Sequence, residues 1–535
     1  MKPSQLIRRG LLLLGTVFVL FCAWQALRPL GKPSADGRIT IRFGHWQLEP
    51  GIRTAFEQLI RDYEALHPNI RVEQITVPGR MYRQWGSTQL IGGTAPDLVQ
   101  IGLGVQGGFF YDYFQPITAE INLPNPYNAG TPLEGVPWRN TFKDGMVTSY
   151  DPETFECYGA SLFAATIRIY CNMDLLRKVT GSDQLPVTFR EFQEFCALVH
   201  DYAQSTGEHI EPIAGSSLTG ILMLDDLFRS QMQDLTSRLN PTMDLPMDND
   251  EFYLQYLLGR WTLKDPALQS AAELMREAGA LLTPGFTQID HDQAHFRFVQ
   301  GRAVMLMGFS LQATGILDQI NFPIQVIRSP QPDVDNPRFG PQMRARSSEN
   351  GLRTYGGFAL TRSSQHPAEA LDFLRFITSA ESCRKFCEIS RCLPSIIGVE
   401  SPDIMQAFMP DTHGYPPGPT FYISPDTRAL ILNSQYLLFG PEASPARWLA
   451  RLSQELPSTM RRDLQRTTDA RAASVQRIEA AIAAGQRLLA DHPDDDILSR
   501  KYQSQLETQN EMEATVHYTR LRLKQAERQT GRGPN

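Results

Sequence analysis

Trp46, Gln47 and Glu49 fall in one short stretch of the chain. An indole ring can cover an apolar face of a small solute, while amide and carboxylate groups bond its polar edges, so this trio can hold a small molecule without covalent chemistry. His291 and His295, in His291-Asp292-Gln293-Ala294-His295, have the i, i+4 spacing with which a helix face grips zinc. The general-base glutamate of the metalloprotease pattern is replaced by the shorter Asp292, and a surface histidine pair with no metal is expected. Gly308-Phe309-Ser310 opens like a nucleophile elbow, but Gln312 stands where the second glycine belongs. No GxxxxGK[ST] loop occurs, which leaves ATP hydrolysis to a separate partner. Cys383, Cys387 and Cys392 lack a nearby fourth ligand for structural zinc. In an oxidising compartment, 157–171 and 387–392 are plausible disulfides, with free buried thiols as the alternative.

The elements that position these residues can be read from periodicity. Ile39 to Phe43 alternates as a strand and ends at Gly44-His45-Trp46. From Gly51 to His67 the apolar residues Ile52, Phe56, Leu59, Ile60, Tyr63 and Leu66 share one helix face. Pro68 stops that helix. A second strand, Ile70 to Val77, a helix from Met81 to Ile91 and a short buried strand, Asp97 to Ile101, complete an α/β unit with a parallel sheet. Further on, Thr188 is placed to cap a helix whose first turn holds Glu191, and Gly301 to make the left-handed turn before a buried strand, Ala303 to Met307.

The 535 residues are 42% hydrophobic and 20% charged, enough for a large core. Lys+Arg 51 against Asp+Glu 58 gives a net charge of −7, which argues against a nucleic-acid binder. At the N-terminus, Lys2, Arg8 and Arg9 precede an apolar run from Gly10 to Ala23, the order an export signal requires. Cleavage after Ala26 would put bulky Trp24 at the outer recognition position, and Phe21 is large for the slot before a lipidated Cys22. An uncleaved signal-anchor followed by a linker, 1–37, is favoured over a removed or lipidated signal.

The order of motifs resembles the extracellular solute-binding proteins, family 1, receptors that deliver sugars and related solutes to ABC importers. The resemblance runs over about 38–455. It rests on the opening stretch from Phe56 to Gly102, on Ile169-Tyr170-Cys171-Asn172 with Leu175-Leu176, and on Pro186 to Phe192. It continues through Phe298 to Met305 with Gly308-Phe309-Ser310, then Tyr355-Gly356-Gly357 with Ser363 to Pro367, and ends near Leu393-Pro394-Ser395. It implies an α/β, two-lobed periplasmic-binding-protein fold of type II-like topology with a hinge. Lobe 1 would be 38–150 with about 300–350 returning, and lobe 2 would be 151–299 with about 351–456 returning. It implies a binding protein with no catalytic residues, cofactor or metal.

In such a fold the ligand lies between the lobes, beyond the carboxyl ends of the strands. The candidate ligand residues are Trp46, Gln47, Glu49, Arg80, Tyr82, Asp97, Gln106, Phe109, Phe309, Ser310 and Tyr355. For Trp46, Tyr82 and Asp97 a packing role competes, as it does for Trp85. Gly308-Phe309-Ser310-Leu311 departs from the family's Gly-Ser-Trp pattern, so the ligand cannot be carried over from any one relative. An amino-sugar, polyamine-like or phosphorylated solute stays open. Beyond Pro457 glycine and proline nearly vanish. Leu464, Thr468, Arg471, Val475, Ile478, Ile482, Gly485 and Leu489 form an imperfect heptad seam. After a break at His492-Pro493-Asp494, with Asp494 as N-cap, a second seam holds Tyr502, Leu506, Gln509, Glu513, Val516, Arg520 and Leu523. A C-terminal helical hairpin or coiled coil, 457–535, is expected, packed on the lobes or self-associating. The function expected is a periplasmic or extracytoplasmic, membrane-anchored receptor that hands a carbohydrate-like solute to ABC permease subunits, with no nucleic-acid partner. The alternative is a solute-binding-protein-like scaffold or sensor that binds a partner through its C-terminal helices.

Overall fold

The computed structural model describes residues 37–102, 105, 112–151, 154–240, 247–349 and 354–530. Their contacts divide into two units. The first draws on 1–47, 57–115 and 359–373, the second on 48–56, 116–358 and 374–535. Both anticipated boundaries, after 150 and after 299, fall inside the second unit. The segment after 116 packs there: Asn125 donates to the Arg375 carbonyl at 2.8 Å, and the buried Trp138 indole donates to Thr378 at 3.2 Å.

The first unit holds β1 (Ile39–His45), α1 (Pro50–Leu66) from Glu57 onward, β2 (Ile70–Thr76), α2 (Gly79–Ile91) and β3 (Leu98–Gln100). The sheet is parallel, with β1 between its neighbours: Phe43 registers with Gln74 on one side and Leu98 on the other. The inner face of β1 carries Ile41 and Phe43, both fully buried. Phe43 meets Phe373 edge-on at 5.6 Å, and Tyr63 of α1 closes on the same ring and bonds Asp372 at 2.9 Å. The helical spacing of α1 holds except at Leu66, which is 61% exposed on the last turn.

The second unit is larger. It contains β4 (Gly159–Ala164), β5 (Ile167–Asn172), α3 (Met173–Thr180), α4 (Phe189–Thr206), β6 (Glu211–Ala214) and α5 (Ser217–Ser230). After these come α6 (Asn249–Leu257), α7 (Pro266–Leu281), α8 (His291–Val299), β7 (Ala303–Phe309) and β8 (Ile324–Ile327). β5 lies between β8 and β7 and is antiparallel to both, and β6 adds parallel to β7. Thr188 caps α4 in a reciprocal capping box with Glu191, and Gly301 turns left-handed at φ 67° before β7, both as the sequence predicts. The chain then forms β9 (Thr354–Leu360), α9 (Pro367–Ile377), α10 (Ala380–Ser390) and α11 (Pro425–Ser434). It ends in two long helices, α12 (Pro445–Asp491) and α13 (Asp496–Thr530).

α12 begins well before Pro457, which lies inside it. Its first turns bury Trp448, Leu452, Leu456, Met460 and Leu464 in the core of the second unit, where each contributes about 1.5–3 kcal/mol. The helical hairpin is therefore packed on the chain's own body. Thr468, Arg471, Ile478 and Gly485 of the first seam are buried as the heptads predict. On α13 the buried stripe is Ser504, Thr508, Met512, Val516, Thr519, Leu523 and Ala526, so Arg520 points outward. The helix follows the body, where Tyr518 bonds Glu251 at 3.0 Å, instead of a strict two-helix seam. Asp495, not Asp494, caps α13 by accepting from the Leu498 N–H at 2.9 Å. The expected anchor and linker, 1–37, lie outside the described residues except for Gly37; among those described, no helix is long and apolar enough to cross a membrane.

Candidate functional site

In the first unit the carboxyl ends of β1 and β3 lie side by side, and the residues just beyond them meet. Trp46 follows β1, and its backbone N–H donates to the Gln100 side chain at 3.3 Å. Its ring stands edge-on to Tyr82 at 4.8 Å and lies over Gly102. Gly102 has φ 131°, and a Cβ there would come 2.5 Å from the indole. Only glycine offers both the backbone conformation and the room. Tyr82 is fully buried and donates to the Gln100 carbonyl at 2.7 Å. Asp97 spends its two oxygens on the Arg42 N–H at 2.8 Å and the Ser364 hydroxyl at 2.6 Å. Gln47 is buried, its N–H donating to His45 Nδ1 at 3.2 Å, and Arg80 is exposed at the start of α2. The Trp85 ring packs against Gly44. In the second unit, the Glu49 carbonyl accepts from Arg53 at 3.0 Å where α1 begins, and burial pushes its carboxyl up from the ordinary range. Gln106 and Phe109 lie outside the described residues, as does the side chain of Tyr355, which stands in β9.

The second unit builds a loop at the end of β7. Phe309 is half-buried. Its carbonyl accepts from Tyr170 at 2.7 Å, and its N–H donates to Gln312 Oε1 at 3.0 Å. That bond orients the Gln312 amide, so its nitrogen donates to His291 Nε2 at 2.5 Å and the imidazole proton resides on Nδ1. Burial lowers the His291 pKa, which keeps the ring neutral, and the ring lies 6.3 Å from Phe309. His291 is thus a brace for Phe309. Both histidines of the expected surface pair are half-buried, and they turn to different partners, His291 to Gln312 and His295 to Gln319. Ser310 is 1% exposed and exchanges hydrogen bonds with Thr166: its N–H donates to the Thr166 carbonyl, and its hydroxyl accepts from the Thr166 N–H.

Beside this loop lies an ionic network that the sequence reading missed. Arg168 of β5, 3% exposed, pairs bidentately with Glu349 at 2.7 and 3.0 Å and donates to the Met409 carbonyl at 2.6 Å. Arg328, just past β8, pairs with Asp411 at 3.2 Å. An arginine inside the apolar run Ile167-Arg168-Ile169-Tyr170 was the available signal.

The six described cysteines are free and buried, so neither expected disulfide is formed. Cys157 and Cys171 turn to separate backbone carbonyls, of Gly159 and Ile169. Among the described residues no cluster of His, Cys, Asp and Glu is arranged to hold a metal ion. A cavity of about 580 Å³, lined by His200, Glu208, His209, Glu211, Arg297 and Arg302, opens at the amino ends of β6 and β7. That is opposite the carboxyl end of β7, where Phe309 lies.

Comparison with known proteins fits this geometry. No curated protein matches the sequence. Among solved structures, a maltose-bound MalE3 from T. maritima is 15% identical with a TM-score of 0.54, covering 78% of this chain and 99% of its own. A chitin oligosaccharide binding protein is 14% identical with a TM-score of 0.54, covering 79% and 99%. The GacH receptor of Streptomyces glaucescens, solved unliganded and with acarbose, is 14% identical with a TM-score of 0.52, covering 79% and 99%. The fold is the two-lobed α/β fold of these binding proteins, with a C-terminal helical region. The family described as bacterial extracellular solute-binding protein matches residues 49–382, more than half of the chain. The chain belongs to that family.

Proposed function

We propose that this protein is an extracytoplasmic receptor that captures a carbohydrate-like solute between its lobes and delivers it to an ABC permease. The observation that carries this reading is Trp46, laid on Gly102 at the carboxyl ends of adjacent parallel strands. A half-buried indole held there by an N–H bond and an aromatic neighbour is a fixed stacking surface for a sugar face. The solute-facing set is Trp46, Gln47, Glu49, Arg80 and Phe309, with Gln106, Phe109 and Tyr355 as further members. Tyr82, Asp97 and Ser310 hold these in place. Closure draws on the solute's greater affinity for the closed state. The protein needs no cofactor, and residues 1–37 tether it to the cytoplasmic membrane. The sugar ligands named for the solved neighbours support the solute class. Thermal-shift screening of the purified chain against neutral and acidic mono- and oligosaccharides tests the reading. A sugar that raises Tm in the native protein and not in Trp46→Ala is expected; no shift with any sugar would refute the carbohydrate assignment.

A further inference from the structure

In the ionic network of the second unit three arginines meet three carboxylates, but the guanidinium of one arginine makes no hydrogen bond with any described residue. Arg168 is saturated by Glu349 and by backbone carbonyls. Arg328 donates to Asp411 and to the Ser347 carbonyl. The neighbouring carboxylates are also occupied. Glu349 accepts from Arg168 and from the Asp411 N–H at 2.8 Å, Asp411 from Arg328 and the His413 N–H, and Asp226 from Gln331 at 2.6 Å. Arg346 stands among these groups. Its carbonyl accepts from Tyr415 at 2.9 Å, but its guanidinium makes no hydrogen bond or ion pair with any described residue. The side chain is half-buried, and Nε is covered without a partner. Its pKa is lowered, first by burial and then by the nearby Arg328 charge, against the opposing pull of Asp411, Glu349 and Asp226. The Ser329 hydroxyl, next to Arg328 in sequence, is buried and equally unpartnered. A partly desolvated guanidinium whose donors meet no acceptor is costly unless an acceptor completes it.

The network is continuous with the Phe309 loop. Thr166, bonded to Ser310, donates to the Phe408 carbonyl at 2.7 Å, and Arg168 holds the next carbonyl, that of Met409.

We propose that Arg346, backed by Arg328, is an oxyanion-binding site whose occupant is the carboxylate of an acidic sugar. This deepens the receptor reading and rests on it for the sugar part. The planar guanidinium fork matches a carboxylate or phosphate bidentately, which a lysine ammonium does not reproduce. Arg328, already tied to Asp411 and Ser347, supplies fixed positive potential while Arg346 supplies the free donors.

Calorimetric titration of the full chain with a uronate oligosaccharide, its neutral counterpart and inorganic phosphate, repeated on Arg346→Gln and Arg346→Lys, tests this. Loss of one charge-assisted contact should weaken uronate binding roughly tenfold to a hundredfold in Arg346→Gln, with partial recovery in Arg346→Lys and little change for the neutral sugar. Without any anion, Arg346→Gln should melt close to the wild-type temperature, because the guanidinium it removes bonds no described residue. A clear fall would mark Arg346 as structural and overturn the proposal. Phosphate bound as tightly as uronate, and lost in the variant, would keep the oxyanion site but make its occupant a free anion. Neutral sugar bound without uronate or phosphate would overturn the site and leave the receptor reading intact. Phosphate bound with neither sugar would overturn the receptor reading and leave the site.

Discussion

The loop after β1 and the loop after β7 solve the same positioning problem with different chemistry. Trp46 is held by shape: a glycine beneath it, a tyrosine beside it and one N–H bond. Among the described residues no salt bridge takes part. Phe309 is held by polar relays: Tyr170, Gln312 and His291 on one side, and on the other Thr166, which shares its strand region with the Arg168–Glu349 pair. A wall built on shape is sensitive to added volume and indifferent to charge. A wall built on buried polar partners is sensitive to the loss of any one of them.

The contrast is sharpest where a buried charge is orphaned. Arg168→Ala leaves Glu349 without its bidentate partner and should cost about 3–5 kcal/mol in urea unfolding; a cost below about 1 kcal/mol would break the contrast. Gly102→Ala should cost about 2–3 kcal/mol through its positive φ and the collision with Trp46. Its penalty should not change with salt, and salt dependence would show that charge also matters in the first unit. Phe309→Ala should weaken sugar binding about tenfold with little change in Tm, while Trp46→Ala should weaken it more. Equal losses would mean that both rings stack.

Buried acids extend the comparison to pH. Burial pushes the Glu156 carboxyl in the second unit up to about 7, although Thr118 donates to it. The folded state therefore keeps this proton after the unfolded chain, titrating near the usual 4.3, has lost it. Stability should fall as pH rises from about 4 to about 7, and Glu156→Gln should flatten that part of the curve, as equilibrium unfolding at several pH values can show. The smallest effect belongs to Thr188→Ala, about 1 kcal/mol from the lost cap of α4.

The shape-built wall was the more legible of the two in the sequence. Alternation marked β1 and a short apolar run marked β3, and the strand-end rule then singled out Trp46. Asp97 and Tyr82 attracted attention as polar and aromatic groups near the same ends, but composition cannot show that their polar atoms are already bonded to Ser364 and Gln100. The polar wall was opaque for a different reason. Arg168 and Glu349, like Thr166 and Phe408, lie far apart in sequence, and no local pattern links them. The hairpin seam was readable on α12, where heptad and burial agree. It was misread on α13, whose buried stripe is set by Glu251 and other body residues as well as by α12.

α12 begins as a core helix of the second unit and runs on, past Pro457, as the first arm of the hairpin in one continuous helix. At 1.5 Å per residue its 47 residues span about 70 Å. The arm is thus an outgrowth of an existing beam, not a module stitched on by a tether. Anything that grasps its far end is coupled mechanically to Trp448 and Leu452 at its root, so a load applied there is delivered to the interior of the receptor instead of being lost in slack.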